Sequence, residues 1–277
     1  MRKYFAAVLQ LNSGSDINAN LTESEKWIED AFSKNAQLIG LPENFSFLGS
    51  EKEKLERAKE IEVLTSKFLS ETSRKFRIHL LGGGYPTAGK DGKILNTSTL
   101  FGPDGKEIFR YYKIHLFDTD PGDGFQYKES RSVSSGTELP SIFSSAQFGN
   151  ISTVICYDLR FPELFRALSY RGAEILFVPS AFTKLTGEAH WEPLLRARAI
   201  ENFCYVLAPA QAGRHDNGRE TYGHSLIVNP WGEILAEKKE GEGALVAEID
   251  LELIQEARRK IPSLKHRKFI AEWEKFA

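Results

Sequence analysis

The sequence predicts an α/β fold in one domain spanning residues 1–277, and three observations carry that expectation. Short apolar runs bounded by turn residues recur from end to end. Amphipathic stretches with helical spacing fill the intervals, and no repeat, linker or low-complexity tract interrupts them. The helices fall into two groups, one in each half of the chain, and two groups need two sheet faces to cover. Two stacked sheets meet that need, although a single doubly wound sheet would give the same alternation.

In the first half, YFAAVLQL (4–11), AQLIGLPE (36–43), FRIHLLGGGY (76–85), NTSTLFGP (96–103) and EIFRYYKIHL (107–116) read as strands. Residues 16–35 and 51–75 carry helical periodicity. Asp91-Gly92 and Asp104-Gly105 are two-residue turn signals, so hairpins and some antiparallel pairing are expected. Gly82-Gly83-Gly84 lacks the spacing of a phosphate-cradling loop and reads as a turn. In the second half, residues 144–158 read as a hairpin-like pair. A helix follows over 161–173, with Pro162 at its start and Gly172 past its end. Strands are expected over 174–182, 204–211, 223–237 and 243–250, around a helix over HWEPLLRARAIEN (190–202).

Composition excludes several classes of function. With 41% hydrophobic and 27% charged residues and a net charge of −2, the chain has no field to favour nucleic acid or an anionic membrane. Its basic residues have acidic neighbours, as in EKEKLERAKE (51–60), the pattern of a solvated helix face. Arg2 and Lys3 precede an apolar run, as in a signal peptide, but Gln10, Asn12 and Asp16 break it, and a first strand is the better reading. No stretch approaches the 18 apolar residues of a membrane span. Two cysteines make no disulfide framework, and a reducing compartment suits them. A cytoplasmic location is expected, with an organellar one left open.

Three residues invite chemistry. Cys156 ends the run ISTVIC, shortly before the helix-starting Pro162; a thiol there can be flanked by backbone N–H groups able to hold an oxyanion. The ordinary alternative is a small buried apolar residue. Glu43 follows an apolar run and Pro42, where a carboxylate can enter a cleft or cap a turn. Lys113 interrupts an aromatic and aliphatic strand, as a cleft cation or a snorkelling edge lysine. The six histidines form no metal-binding spacing and none pairs with a cysteine, so no metal site is expected.

These residues lie in blocks that resemble the nitrilase superfamily of carbon–nitrogen hydrolases. LPENF with Glu43, RYYKIHLFD with Lys113 and VICYDLRFPE with Cys156 match its Glu-Lys-Cys triad in order and separation. FQYKES places Glu129 where the family has a second glutamate, although a solvated loop carboxylate would look the same. The resemblance runs from VLQLNS to the last strand. It implies a four-layer αββα sandwich whose subunits pair through outer helices, as a homodimer or larger. SAFTKLTGEAHWEPLLRARAIEN, QAGRH and YGHSLIVNPWGEILA look like the branch holding deaminated glutathione amidase and omega-amidase, with QAGRH tilting towards the former.

The resemblance therefore implies hydrolysis of a small carboxylate-bearing amide by water through a cysteine thioester, with ammonia release and no cofactor. Deaminated glutathione is the first expected substrate. The alternatives are 2-oxoglutaramate or 2-oxosuccinamate, nitrile or carbamoyl chemistry, and a non-catalytic scaffold. Glu43 would be the base, Cys156 the nucleophile, and Lys113 with the Tyr157 N–H the oxyanion donors. Glu129 would support Lys113 or the substrate. Arg160 would hold a substrate carboxylate or brace the turn after the nucleophile. Arg196, Arg198 and Glu201 read as ion pairs or interface residues, His190 and Trp191 as packing, and Cys204 as core.

Overall fold

The computed structural model describes residues 3–268; residues 1–2 and 269–277 of the single-domain reading lie outside the described residues. The first half contains β1 (Lys3–Leu11), α1 (Ile17–Ser33), β2 (Ala36–Gly40), α2 (Glu51–Phe76), β3 (His79–Ala88), β4 (Ile94–Phe101), β5 (Glu107–Tyr112), β6 (Asp118–Thr119) and β7 (Tyr127–Lys128). The second half contains β8 (Phe143–Ser145), β9 (Gly149–Thr153), α3 (Pro162–Tyr170), β10 (Ile175–Phe177), α4 (Lys184–Asn202) and β11 (Tyr205–Ala208). It continues with β12 (Ala210–Arg214), β13 (Glu220–Tyr222), β14 (Ser225–Val228), β15 (Ile234–Lys238), β16 (Gly243–Asp250) and α5 (Leu251–Lys260).

Two mixed sheets result. One runs β13-β12-β1-β2-β3-β4-β5, with β16 also paired antiparallel to β1; the other runs β15-β14-β11-β10-β9-β8. Alternation along β1 shows how they stack. Ala6 and Val8 join Leu38 and Leu81 against Ile151, Ile175, Phe177 and Leu207 of the second sheet, forming the central core. Ala7, Leu9 and Leu11 face the other way, onto Ile28 and Ala31 of α1 and Leu69 and Phe76 of α2. On the far side, Leu176, Val206 and Val228 pack on Leu164 and Phe165 of α3 and Trp191 and Leu195 of α4. The order is helix, sheet, sheet, helix, so the αββα expectation holds and the single doubly wound sheet does not.

Both predicted hairpins form. Asp91 and Gly92 have φ of 54° and 72°, and Lys93 N–H donates to the Lys90 carbonyl at 3.0 Å, a type I′ turn between β3 and β4. Gly105, at φ 78°, closes the β4–β5 connection. The triple glycine is not a turn. It lies inside β3 at a register shift, where a Cβ on Gly83 would come within 2.2 Å of the Pro42 carbonyl oxygen. Absent side chains let β3 press against the segment that carries Glu43. Helix α4 starts at Lys184, six residues before the expected His190, and carries Pro193 inside it.

Candidate active site

The first sheet supplies the acid and the amine. Strand β2 ends at Gly40, and Leu41 and Pro42 lead directly to Glu43; Lys113 follows β5. The second sheet supplies the thiol. Strand β9 ends at Thr153, three residues short of the expected end at Cys156, yet Val154 N–H still donates to Phe177 and Cys156 N–H to Pro179. Cys156 opens a 3₁₀ turn (Cys156–Arg160) with φ of 46°, a left-handed conformation that a non-glycine residue adopts at a cost. That sharp reversal turns the thiol away from its strand. Among the described residues the Tyr157 N–H finds no backbone acceptor.

The three groups meet at the bottom of a cleft of about 240 Å³ and are almost wholly buried: Cys156 is 7% exposed, Glu43 4% and Lys113 2%. Lys113 Nζ lies 3.1 Å from Glu43 Oε1, and 3.1 and 2.9 Å from the two oxygens of Glu129. The Cys156 thiol shares the cleft with Glu43, and each group shifts the titration of the other. Further donors fix the carboxylate: Asn96 Nδ2 at 2.8 Å and the Ala181 N–H at 2.9 Å. Gln211 Nε2 holds the Glu43 carbonyl at 3.1 Å. Phe117 N–H donates to Glu129 Oε2 at 2.6 Å. Glu43, Lys113, Glu129, Cys156 and Tyr157 therefore line one cleft.

The charges follow from these contacts. Burial alone would push the Glu43 carboxyl up, but the Lys113 charge, the neighbouring Cys156 thiol and the hydrogen bonds from Asn96 and Lys113 outweigh it and hold the group below its ordinary value of 4.5. Burial likewise works against the Lys113 ammonium, and the nearby carboxyls of Glu129 and Glu43 overcome it, keeping the amine protonated. Burial, with the Glu43 charge adding to it, pushes the Cys156 thiol well above its usual range despite the Lys113 charge. At rest the site holds a thiol, a carboxylate and an ammonium.

Asp158 ties these parts together. Fully buried, it accepts from Ile155 N–H and Tyr111 Oη through one oxygen, at 2.9 and 2.8 Å. Through the other it contacts His115 N–H and Nδ1, at 3.0 and 2.7 Å. One side chain thus links the nucleophile turn to the segment carrying Lys113. Sequence reasoning missed Asp158, Asn96 and Gln211; their only signals are a carboxyl two residues past the thiol and amides within apolar strands. Arg160 is not among the residues lining the cleft. Its guanidinium stacks over Phe182 at 5.1 Å and Tyr157 at 5.9 Å, and Nη1 approaches His190 Nδ1 at 3.2 Å. Trp191 and Cys204 are core residues as expected, and Arg198 pairs with Glu201. No cluster of three or more His, Cys, Asp or Glu side chains able to hold a metal occurs among the described residues. No helix among them is long and apolar enough to cross a membrane.

A thiol, a carboxylate and an ammonium gathered at the strand ends of an αββα sandwich define a protein of the nitrilase type. The chain belongs to the carbon–nitrogen hydrolase family, whose family model matches residues 5–259, and it is a hydrolase acting on an amide. It is 50% identical over 272 residues to a deaminated glutathione amidase of Synechocystis sp., covering 98% of this chain and 100% of that protein. Its fold matches Saccharomyces cerevisiae Nit3, a member of branch 10 of the nitrilase superfamily. The TM-score is 0.86 at 35% identity, covering 97% of both chains. It also matches an amidase from Nesterenkonia sp. AN1 that carries acrylamide on its active-site cysteine. There the TM-score is 0.79 at 25% identity, covering 94% of this chain and 98% of that one.

Proposed function

We propose that this enzyme cleaves a small carboxylate-bearing amide through a thioester on Cys156, with deaminated glutathione as its substrate. The observation that carries the mechanism is the Glu43 carboxylate, hydrogen-bonded to the Lys113 ammonium and buried in the same cleft as the Cys156 thiol. The relatives' name carries the substrate.

Glu43 takes the thiol proton as sulfur attacks the amide carbon. Because the resting thiol is held well above its usual range, thiolate accumulates only as the carbonyl accepts it. The Lys113 ammonium and the Tyr157 N–H hold the oxyanion of the tetrahedral intermediate. The protonated Glu43 then gives its proton to the departing nitrogen, and the carbon–nitrogen bond breaks. Water, deprotonated by the same carboxylate, attacks the thioester, releasing the acid and restoring the thiol. Glu129 binds neither the attacking nor the leaving atom in this scheme; gripping Nζ through both oxygens, it positions Lys113. All five groups belong to the protein, so the steps require no cofactor.

The leaving group distinguishes substrates. Deaminated glutathione is a peptide amide whose nitrogen belongs to a cysteine residue, so its hydrolysis releases a dipeptide amine and not the ammonia expected from the resemblance. Ammonia is released only from primary amides such as 2-oxoglutaramate and 2-oxosuccinamate. A panel scored for both products should give the highest kcat/KM with deaminated glutathione and a free cysteinyl amine as product. Faster ammonia release from 2-oxoglutaramate would shift the assignment to omega-amidase, and hydrolysis of a nitrile alone would end the amidase reading. Pairing of subunits through the outer helices belongs to the same proposal. Leu185 and Ile200 on α4 and Trp231 beside it are each about half exposed, apolar area that a second copy would cover.

The same charges predict the pH profile. Glu43 must be ionised and its carboxyl is held below 4.5, so kcat/KM should be level from about pH 5 to 9 and fall only below Glu43's ordinary range. The stability linked to this ionisation is present above the unfolded value of 4.5 and is lost as pH falls through the lower folded one. An acid limb centred between pH 6 and 7 would contradict the assigned base.

A further inference from the structure

The cleft holds charge that the proposed chemistry does not use. Its lining carries four cations, Lys54, Lys113, Lys128 and Arg219, against the carboxyl groups of Glu43, Glu51 and Glu129. Lys113 is taken by Glu43 and Glu129, and Lys54 by Glu51 at 2.9 Å. Lys128 is exposed to solvent. Arg219 is different: half-buried, it makes no ion pair among the described residues, and its buried Nε has no hydrogen-bond partner among them. A half-buried cation with no carboxylate partner is costly, and an anionic ligand in the cleft relieves that cost.

The surroundings hold this guanidinium ready. It lies over the Tyr127 ring at 5.1 Å, and its Nη2 donates to the Ala181 carbonyl at 3.3 Å. The turn that carries it is closed by His215 N–H to the Arg219 carbonyl at 2.9 Å, with Gly218 at φ 83°. Ala181 also donates its N–H to Glu43 Oε2. Arg219 and the proposed base therefore flank one backbone residue, on the order of 10 Å apart or less given ordinary backbone and hydrogen-bond lengths. That is within reach of a carboxylate a few bonds from a scissile amide.

We infer that Arg219, not Arg160, is the residue that recognises a substrate carboxylate in this cleft. The inference rests on the amidase reading above and adds the residue that selects the substrate. A planar guanidinium with free N–H groups binds a carboxylate through parallel charge-assisted hydrogen bonds, which a neutral ester cannot replace. The carboxylate belongs either to the acyl half of the amide or to the departing amine.

Two substrate pairs decide this. The first is 2-oxoglutaramate and its methyl ester; the second is an acyl-cysteinylglycine with a free or an amidated C-terminus. The quantity read is the ratio of kcat/KM for the charged and neutral members of each pair. In the wild type the charged member should be favoured in at least one pair. Arg219→Met should lower that ratio by about 10- to 100-fold, the scale of hydrogen bonds to a charged group. Arg219→Lys, which keeps charge without the fork, should restore part of it. The affected pair identifies the half that carries the carboxylate. A ratio unchanged by Arg219→Met in both pairs, even with lower rates overall, means that the side chain only shapes the cleft and overturns the inference. Wild-type inactivity on all four compounds overturns the substrate class proposed above and this inference with it.

Discussion

Cys156→Ala is expected to abolish turnover while leaving folding intact, and Cys204→Ala to keep most of it. Both thiols are buried, and burial pushes both up in pKa, so neither exposure nor acidity separates them. Geometry does. Cys156 lies at a left-handed reversal beside Glu43 and Lys113, whereas Cys204 precedes β11 within the core formed with α3 and α4. Loss of a covalent nucleophile should reduce kcat by at least ~10⁴-fold. Cys204→Ala should cost ~1 kcal/mol of stability through the small cavity left by sulfur. Steady-state kinetics and thermal unfolding of the two variants check both statements. Turnover lost in Cys204→Ala and kept in Cys156→Ala would place the nucleophile elsewhere.

The second large effect is expected from Lys113→Met, which keeps the apolar stem and removes the charge. Two losses should appear, and pH separates them. Without the ammonium, burial dominates the Glu43 carboxyl, and its pKa rises towards neutrality. At pH 7 the base would then be partly protonated, so kcat/KM should climb between about pH 6 and 9 where the wild type is level. The deficit remaining at pH 9 measures the lost oxyanion donor and should be about 10²–10³-fold or more. Removing a cation buried between two carboxyl groups should also lower stability by ~3–5 kcal/mol, less whatever protonation recovers. A variant as slow at pH 9 as at pH 6 would show that Lys113 does not poise Glu43. Near-normal acylation at all pH values would remove it from the oxyanion role.

Much of this arrangement was legible in the sequence because it rests on local signals. Asp91-Gly92 specifies a turn with both central residues at positive φ, and Pro162 and Gly172 bracket a helix because each suits only its own end. Glu43, Lys113 and Cys156 could be placed together only by family resemblance, since they are far apart in sequence and no local rule joins them. What escaped was set by long-range packing. The triple glycine looked like a turn because its reason for existing, the approach of the Pro42 backbone, lies some forty residues away. The early start of α4 has no side-chain cap hydrogen bond at Thr183 to announce it. Arg160 drew attention by following the nucleophile, yet its turn directs it onto Phe182 and Tyr157. Arg219 reaches the cleft from the far end of the β12–β13 hairpin, and nothing in its sequence neighbourhood marks it.

The central claim is a thioester on Cys156 that forms with Glu43 as proton acceptor and decays with Glu43 as activator of water. Glu43→Gln keeps the shape of that residue and removes its basicity, so any thioester formed in it lacks the group that should hydrolyse it. Intact-protein mass spectrometry of this variant, acid-quenched during incubation with substrate, followed by peptide mapping, tests the claim directly. The account predicts slow accumulation of a single adduct with the mass of the acyl group, confined to the peptide bearing Cys156 and absent from the Cys156→Ala double variant. Near-normal turnover in Glu43→Gln, or an acyl adduct on any residue other than Cys156, would contradict it.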